Sequence, residues 1–436
     1  MFDRANFPDD FVFGVGTSAF QIEGGQIDGR GTSIWDSFSA THGNVVDGST
    51  GANACDHYRR WQEDIGLVQD GGFDAYRFSI AWSRILPDGT GEPNEAGIAF
   101  YDRLIDGLLE CGIKPFATLY HWDLPSALQD RGGWLNRDVA AWFADYAALV
   151  AQRFGDRLVS TATINEPWCV AMLGHYYGVH APGIRDLRAL AHSMHHVLLA
   201  HGAGIEALRS ENATNLGIVL NLEFTEPETA TKDDLAAADL WDGLFNRWYL
   251  DGVLAGRYPT DITDLLEPYL PEGWSSDLGR IAPRLDWLGI NYYTRAMVHH
   301  DPSQGLVSAV KVDGPLEKTD SGWEIYPDGL LALLRRVWRD YAHHPIYVTE
   351  NGMAEVQGLD DRRRKQFHAN HLEAVRRARE EGIDVRGYFA WSLLDNFEWA
   401  EGYTKRFGLV EVDFETQTRA PRASFNAFKA ALQATG

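Results

Sequence analysis

The sequence predicts a (β/α)8 barrel, one catalytic domain over residues 1–436 with long loops after its strands, and three observations carry that reading. Short apolar runs recur eight times, each followed by a turn and an amphipathic segment. No linker-like or low-complexity stretch divides the chain. Polar and aromatic residues gather where the apolar runs finish. Strands alternating with helices imply a parallel sheet covered on both faces, and eight repeats are the count that closes a barrel. A doubly wound open sheet is the structural alternative, because periodicity alone does not show closure.

The runs occupy residues 11–20, 75–85, 114–121, 158–165, 216–224, 286–293, 345–350 and 385–393. Among the intervening helical patterns, Val139, Trp142, Phe143, Tyr146, Ala147 and Val150 make the clearest stripe, with Asn136 ahead of it as N-cap. The chain exceeds the ~250 residues of a minimal barrel. The surplus falls mainly in 168–215 and 295–344, after strands four and six, on the face where barrels build their active sites.

Lys and Arg total 39 against 62 Asp and Glu, a net charge of −23. That balance opposes binding to nucleic acid or to an anionic membrane, which needs clustered cations. The one basic run, Arg362 to Lys365, reads as a solvated helix face. Cys55, Cys111 and Cys169 form no CxxC pair or disulfide framework, which fits a reducing compartment. The first residues lack the pattern of a secretion signal, and no apolar run is long enough to span a bilayer. A cytoplasmic protein is expected.

The strand ends carry the chemistry. Strand one leads to Gln21 and Glu23, and strand three to His121, Trp122 and Asp123. Strand four ends in Asn165 and Glu166, strand six in Asn291, Tyr292 and Tyr293, and strand seven in Glu350. Strand eight runs from Trp391 to Asn396, Glu398 and Trp399. A carboxylate at the end of a buried strand is costly unless paired or functional. Glu166 and Glu350 stand on strands opposite one another, so both reach the barrel axis. Glycoside hydrolysis needs such a pair: an acid for the leaving oxygen and an anion on the other face of the sugar. Glu166 is expected to hold a raised pKa and act as acid then base, with Glu350 as nucleophile kept ionised by Arg77 and Tyr293.

The segments TINEP (163–167) and VTENG (348–352) resemble the acid/base and nucleophile motifs of family 1 glycoside hydrolases. FVFGVGTSAFQIEG, YRFSIAWSRILP, YHWDLP, GINYYT, GWEIYP and WSLLDNFEWAEGY resemble that family's segments in its order, over more than 380 residues. The resemblance implies a retaining exo-β-glucosidase acting on terminal, non-reducing β-D-glucosides or cello-oligosaccharides, with β-galactosides and β-fucosides as further substrates. It also implies contacts. Gln21, His121, Glu398 and Trp399 would meet the sugar hydroxyls, and Asn165 the 2-hydroxyl. Trp391 would face the sugar's C–H surface, and Trp122, Asn291, Tyr293 and Phe407 complete the substrate-binding set. Trp168 and Trp323 would line the aglycone entrance, where a waiting sugar would permit transglycosylation. No metal or cofactor is required. Retention implies carboxyls ~5–5.5 Å apart, against ~8 Å for inversion.

Members acting on 6-phosphorylated sugars carry a Ser-, Lys- and Tyr-bearing loop after strand eight. Here Glu398 and Glu401 stand in that place, and carboxylates repel a phosphate. Lys405 and Arg406 read as the ordinary segment before Phe407.

Other readings compete. Trp35, Trp61, Trp142 and Trp241 are assigned to packing. The His192, His195, His196 and His201 group has helical spacing, but without HExxH or a nearby cysteine it reads as a packed helix. Gly14-Val15-Gly16-Thr17-Ser18-Ala19, with Asp36 beyond it, matches a dinucleotide fingerprint. It continues in Phe20 to Gly25, a poor opening for a helix, which counts against an NAD-dependent oxidoreductase. A catalytically silent sugar-binding barrel needs neither glutamate.

Overall fold

The computed structural model describes residues 2–341, 343–356 and 358–434. Eight parallel strands close into a barrel: Val12–Gly16, Ala75–Ser79, Lys114–Tyr120, Ser160–Asn165, Leu216–Asn221, Trp287–Asn291, Ile346–Asn351 and Val385–Trp391. They are called barrel strands one to eight. Each pairs with its sequence neighbours, and strand one closes the ring against strand eight with Val12 opposite Gly387 and Gly16 opposite Trp391. Burial on both sides explains why these segments read as nearly continuous apolar runs.

The strands are shorter than the runs. Residues 17–20 and 80–85 stay buried but leave the strands, leading into the one-turn helices Ala19–Ile22 and Trp82–Ile85. The stripe at Val139 is the helix Val139–Phe154, yet its N-cap is Asp138 rather than Asn136. The Asn136 side chain instead accepts from the Asp138 backbone N–H at 2.9 Å, two residues upstream of where a cap acts. The longest connection also differs from expectation. It joins strands five and six over residues 222–286, and the one between strands one and two, 17–74, is long as well. Apolar helical stretches there, such as Trp248–Ala255, hide the surplus by resembling ordinary barrel helices.

Two apolar layers hold the barrel. The larger lies between strands and helices. A separate cluster of Val12, Ala75, Phe116, Ala162, Val219, Trp287, Tyr347 and Phe389 takes one side chain from each strand and plugs the bore toward its N-terminal end. Space for the plug depends on glycine: a Cβ on Gly14 would stand 2.3 Å from the Phe389 ring. Beyond the opposite end, Phe224–Pro227, Arg295–His300 and Ala309–Val312 form a three-stranded sheet from the connections after strands five and six. Among the described residues no helix is long and apolar enough to cross a membrane.

Candidate active site

A cavity of about 560 Å³ opens at the C-terminal ends of the strands. Glu166 directly follows strand four, and Glu350 lies in strand seven. Both strands break register just before the glutamate, between Ala162 and Asn165 and between Val348 and Glu350. Such irregularities re-aim a side chain. They let Thr349 and Glu350 both serve the interior: the Thr349 hydroxyl donates to Asn291 Oδ1 at 2.7 Å while Glu350 lines the cavity. Three non-glycine site residues stand in the left-handed region, Trp122 (φ 76°), Glu166 (φ 49°) and Trp399 (φ 52°). Each such conformation costs about 1–3 kcal/mol and persists only where its surroundings impose it.

The two carboxyls have different partners. Glu350 Oε1 accepts from Arg77 Nη1 at 2.7 Å and Oε2 from the Tyr293 hydroxyl at 2.6 Å. A full positive charge therefore matches this carboxylate inside the barrel. Among the described residues, Glu166 forms no ion pair. Its Oε1 accepts from Asn291 Nδ2 at 2.6 Å, and its Oε2 lies 3.0 Å from Cys169 Sγ. Burial, then the nearby Glu350 charge, push its pKa up to about 8. The same two causes raise Glu398 to about 8. His121 is held neutral, its pKa driven well below the usual value by burial and then by Arg77.

Of the residues singled out in the sequence, His121, Trp122, Glu166, Trp168, Asn291, Tyr293, Trp323, Glu350, Trp391, Glu398, Trp399 and Phe407 line the cavity. Gln21, Arg77 and Asn165 stand behind that wall. The Gln21 amide donates to Asn396 Oδ1, Phe397 O and Glu398 Oε2 at 3.0, 3.0 and 3.2 Å, and so fixes the Glu398 loop. Asn165 Oδ1 accepts from Arg77 Nη2 and Asn291 Nδ2 at 2.7 and 3.1 Å, and its Nδ2 lies 3.2 Å from His121 Nε2. Asn165 thus ties both glutamates' partners together. Trp168 packs on Phe245, with ring centroids 4.2 Å apart, and Trp323 packs against Tyr293 at 5.5 Å.

Sequence reasoning missed part of the wall. Trp241, assigned to packing, lines the cavity and donates its indole N–H to Glu223 Oε2 at 3.3 Å. Glu223 forms an ion pair with Lys311, which reaches in from the three-stranded sheet. Asn221 ends strand five and was legible by position alone. Lys405 also lines the cavity, its ammonium donating to Asp320 O at 2.8 Å. Glu401 lines it too, beside Glu398.

The competing motifs find structural roles. His195 contacts Tyr258 and Asp277 at 2.9 and 3.0 Å, His196 the Trp134 carbonyl at 3.0 Å, and His201 the Thr163 hydroxyl at 2.7 Å. The helix Leu187–Ser210 that carries them is a packed one. In the GxGxxA segment, Gly14 makes room for the Phe389 ring. A helix does open there, contrary to the sequence reading, but Ala19–Ile22 is a single turn.

The glycosyl hydrolase family 1 model matches residues 3–436. The chain is 46% identical over 424 residues to a 1,4-beta-D-glucan glucohydrolase of Thermotoga neapolitana, covering 95% of this chain and 99% of that one. It is 42% identical to a bifunctional beta-D-glucosidase/beta-D-fucosidase of Bifidobacterium breve, with 97% of each chain covered. The structure superposes on a beta-glucosidase from Thermotoga maritima in complex with deoxynojirimycin with a TM-score of 0.95, at 43% identity and 98% coverage of both chains.

Proposed function

Because the chain belongs to glycosyl hydrolase family 1, we propose that it is a retaining exo-β-glucosidase working from one catalytic domain, residues 1–436, on unphosphorylated β-D-glucosides and cello-oligosaccharides. One observation carries the reading: Glu350, ion-paired to Arg77, shares a cavity with a buried Glu166 whose partners are an amide and a thiol. Burial and the Glu350 charge raise the Glu166 pKa to about 8. Glu350 attacks the anomeric carbon while Glu166 protonates the departing oxygen, and the glycosyl group rests on Glu350. Water then attacks, giving a proton to Glu166, which arrives at this step as a carboxylate. Loss of the Glu166 proton removes the acid, so kcat/KM falls about tenfold per pH unit above its pKa. Nuclear magnetic resonance of the first-formed sugar should show the β anomer; α-glucose appearing first would exclude retention.

The cavity's charges support a neutral sugar. Lys311 is committed to Glu223, and Lys405 turns to a backbone carbonyl. With both lysines engaged and the acid Glu401 lining the same cavity, 4-nitrophenyl β-glucoside should be cleaved far faster than its 6-phosphate. The relative named for fucosidase activity supports testing the β-fucoside and β-galactoside beside it. Turnover of cellobiose would support a place in cellulose breakdown. We read the enzyme as cytoplasmic from its three free thiols, and cell fractionation tests that. Transglycosylation at high substrate, supported by the Trp168 and Trp323 walls, is checked by product analysis; hydrolysis alone would refute it.

A further inference from the structure

The two oxygens of Glu166 are not equivalent, and the hydrogen-bond network shows which one delivers the proton. Arg77 only donates, so the Asn165 atom 2.7 Å from Nη2 is the amide oxygen. The Asn291 atom facing that oxygen at 3.1 Å is then its nitrogen, consistent with Asn291 Oδ1 accepting the Thr349 hydroxyl. That same nitrogen donates to Glu166 Oε1 at 2.6 Å. An amide N–H has no lone pair with which to receive a proton, so it favours charge on Oε1 and leaves the acidic proton on Oε2. Among the described residues, the partner of Oε2 is Cys169 Sγ at 3.0 Å.

Cys169 comes three residues after Glu166 and opens the π-helix Cys169–Tyr176. Such wide turns often mark functional sites. It is 8% exposed and lines the cavity on the Glu166 side. A thiol is both a weak donor and a weak acceptor. It matches either state of the carboxyl: it accepts from Oε2–H when Glu166 is an acid and donates to Oε2 when Glu166 is a base. Burial, with the adjacent Glu166, pushes the thiol pKa well up, so the sulfur keeps its own hydrogen.

We propose that Cys169 is a positioning residue for the acid/base step, holding Glu166 Oε2 toward the substrate and reversing its hydrogen bond as Glu166 gives up and regains a proton. This rests on the glucosidase reading. The proton passes from Oε2 to the glycosidic oxygen as the bond to the anomeric carbon breaks and its electron pair goes to that oxygen. The Glu350–carbon bond forms in the same step. Water later returns a proton to Oε2, and the thiol neither gains nor loses one. Other titratable groups face Glu166 from the surrounding strands: Arg77, His121, Tyr293, Glu350 and Glu398. Among the described residues, the side-chain hydrogen bond of Cys169 goes to Glu166 and to none of these groups.

The test is the pH dependence of kcat/KM on cellobiose for the wild type, Cys169→Val and Cys169→Ser. Removing the donor in Cys169→Val raises the basic limb by about one pH unit, the scale of one hydrogen bond to a charged group. Cys169→Ser, which keeps a donor and acceptor, leaves the limb within about 0.3 pH units of the wild type. Cys169→Val also loses about tenfold on cellobiose, whose leaving group needs protonation, and under about twofold on dinitrophenyl β-glucoside, whose leaving group does not. Cys169→Ala supplies the same comparison if valine prevents folding. A limb unmoved in Cys169→Val, a limb moved equally in both variants, or equal losses on the two substrates overturns the proposal. A wild type inactive on both substrates overturns the glucosidase reading itself.

Discussion

At the N-terminal end of the bore every strand contributes one apolar side chain, from Val12 and Phe116 to Trp287 and Phe389. At the C-terminal end strands two, four, six and seven contribute Arg77, Asn165, Asn291 and Glu350 instead, joined by hydrogen bonds of 2.6–3.1 Å through Tyr293 and Glu166. The two regions are a few residues apart along the same strands. The lower one gains from burial, about 1.5–3 kcal/mol for each large side chain taken from water. The upper one carries left-handed backbone at Glu166, Trp122 and Trp399 and two carboxyls that burial keeps from ionising freely. Stability resides at one end and reactivity at the other, and the strands couple them only through rigid geometry.

Substitutions at the two ends should therefore separate activity from stability. Glu350→Gln, which keeps an acceptor for Arg77 and Tyr293, should lower kcat by at least about 10⁴-fold, as loss of a nucleophile does elsewhere, with a Tm loss smaller than that of a plug variant. A Tm loss as large as that of a plug variant would erase the distinction. Phe116→Ala, which removes the ring 5.1 Å from Phe389, should cost about 3–5 kcal/mol in denaturant unfolding and leave kcat/KM per folded molecule within severalfold. Gly14→Ala forces a methyl into the Phe389 ring and should cost about 1–3 kcal/mol; a neutral result would mean the plug is loose.

A last effect is a pH slope. Glu398 binds its proton more tightly folded, at about 8, than at its ordinary 4.5. Between those values the folded state holds more protons than the unfolded one, so stability falls as pH rises through that window. Glu398→Gln should make that decline in Tm shallower, leaving the share due to Glu166, and an unchanged slope would remove Glu398 as a source.

How much of this could be read in advance differs between the same regions. Glu166, Glu350, His121 and Trp391 were visible because strand ends are legible from apolar runs and a buried carboxylate there is anomalous. The break in register before each glutamate was not, since a bulge changes pairing without changing composition. Trp241, Glu223 and Lys311 reach the cavity from connections after strands five and six, and their meeting depends on the path of residues 222–286. Asn136 and Asp138 show the local limit: both suit a helix start, and only backbone geometry chose between them.

The plug has a consequence for traffic. With the bore sealed below, the cavity opens away from the plug, and Trp168 and Trp323 are among its walls. A polymer cannot thread through the bore, in keeping with the proposed attack at a chain end. Under the proposed reaction, released sugar would leave on the side from which the next substrate arrives. Under the proposed transglycosylation, a second sugar on that side would meet the glycosyl group on Glu350 in place of water, making congestion itself a path to synthesis.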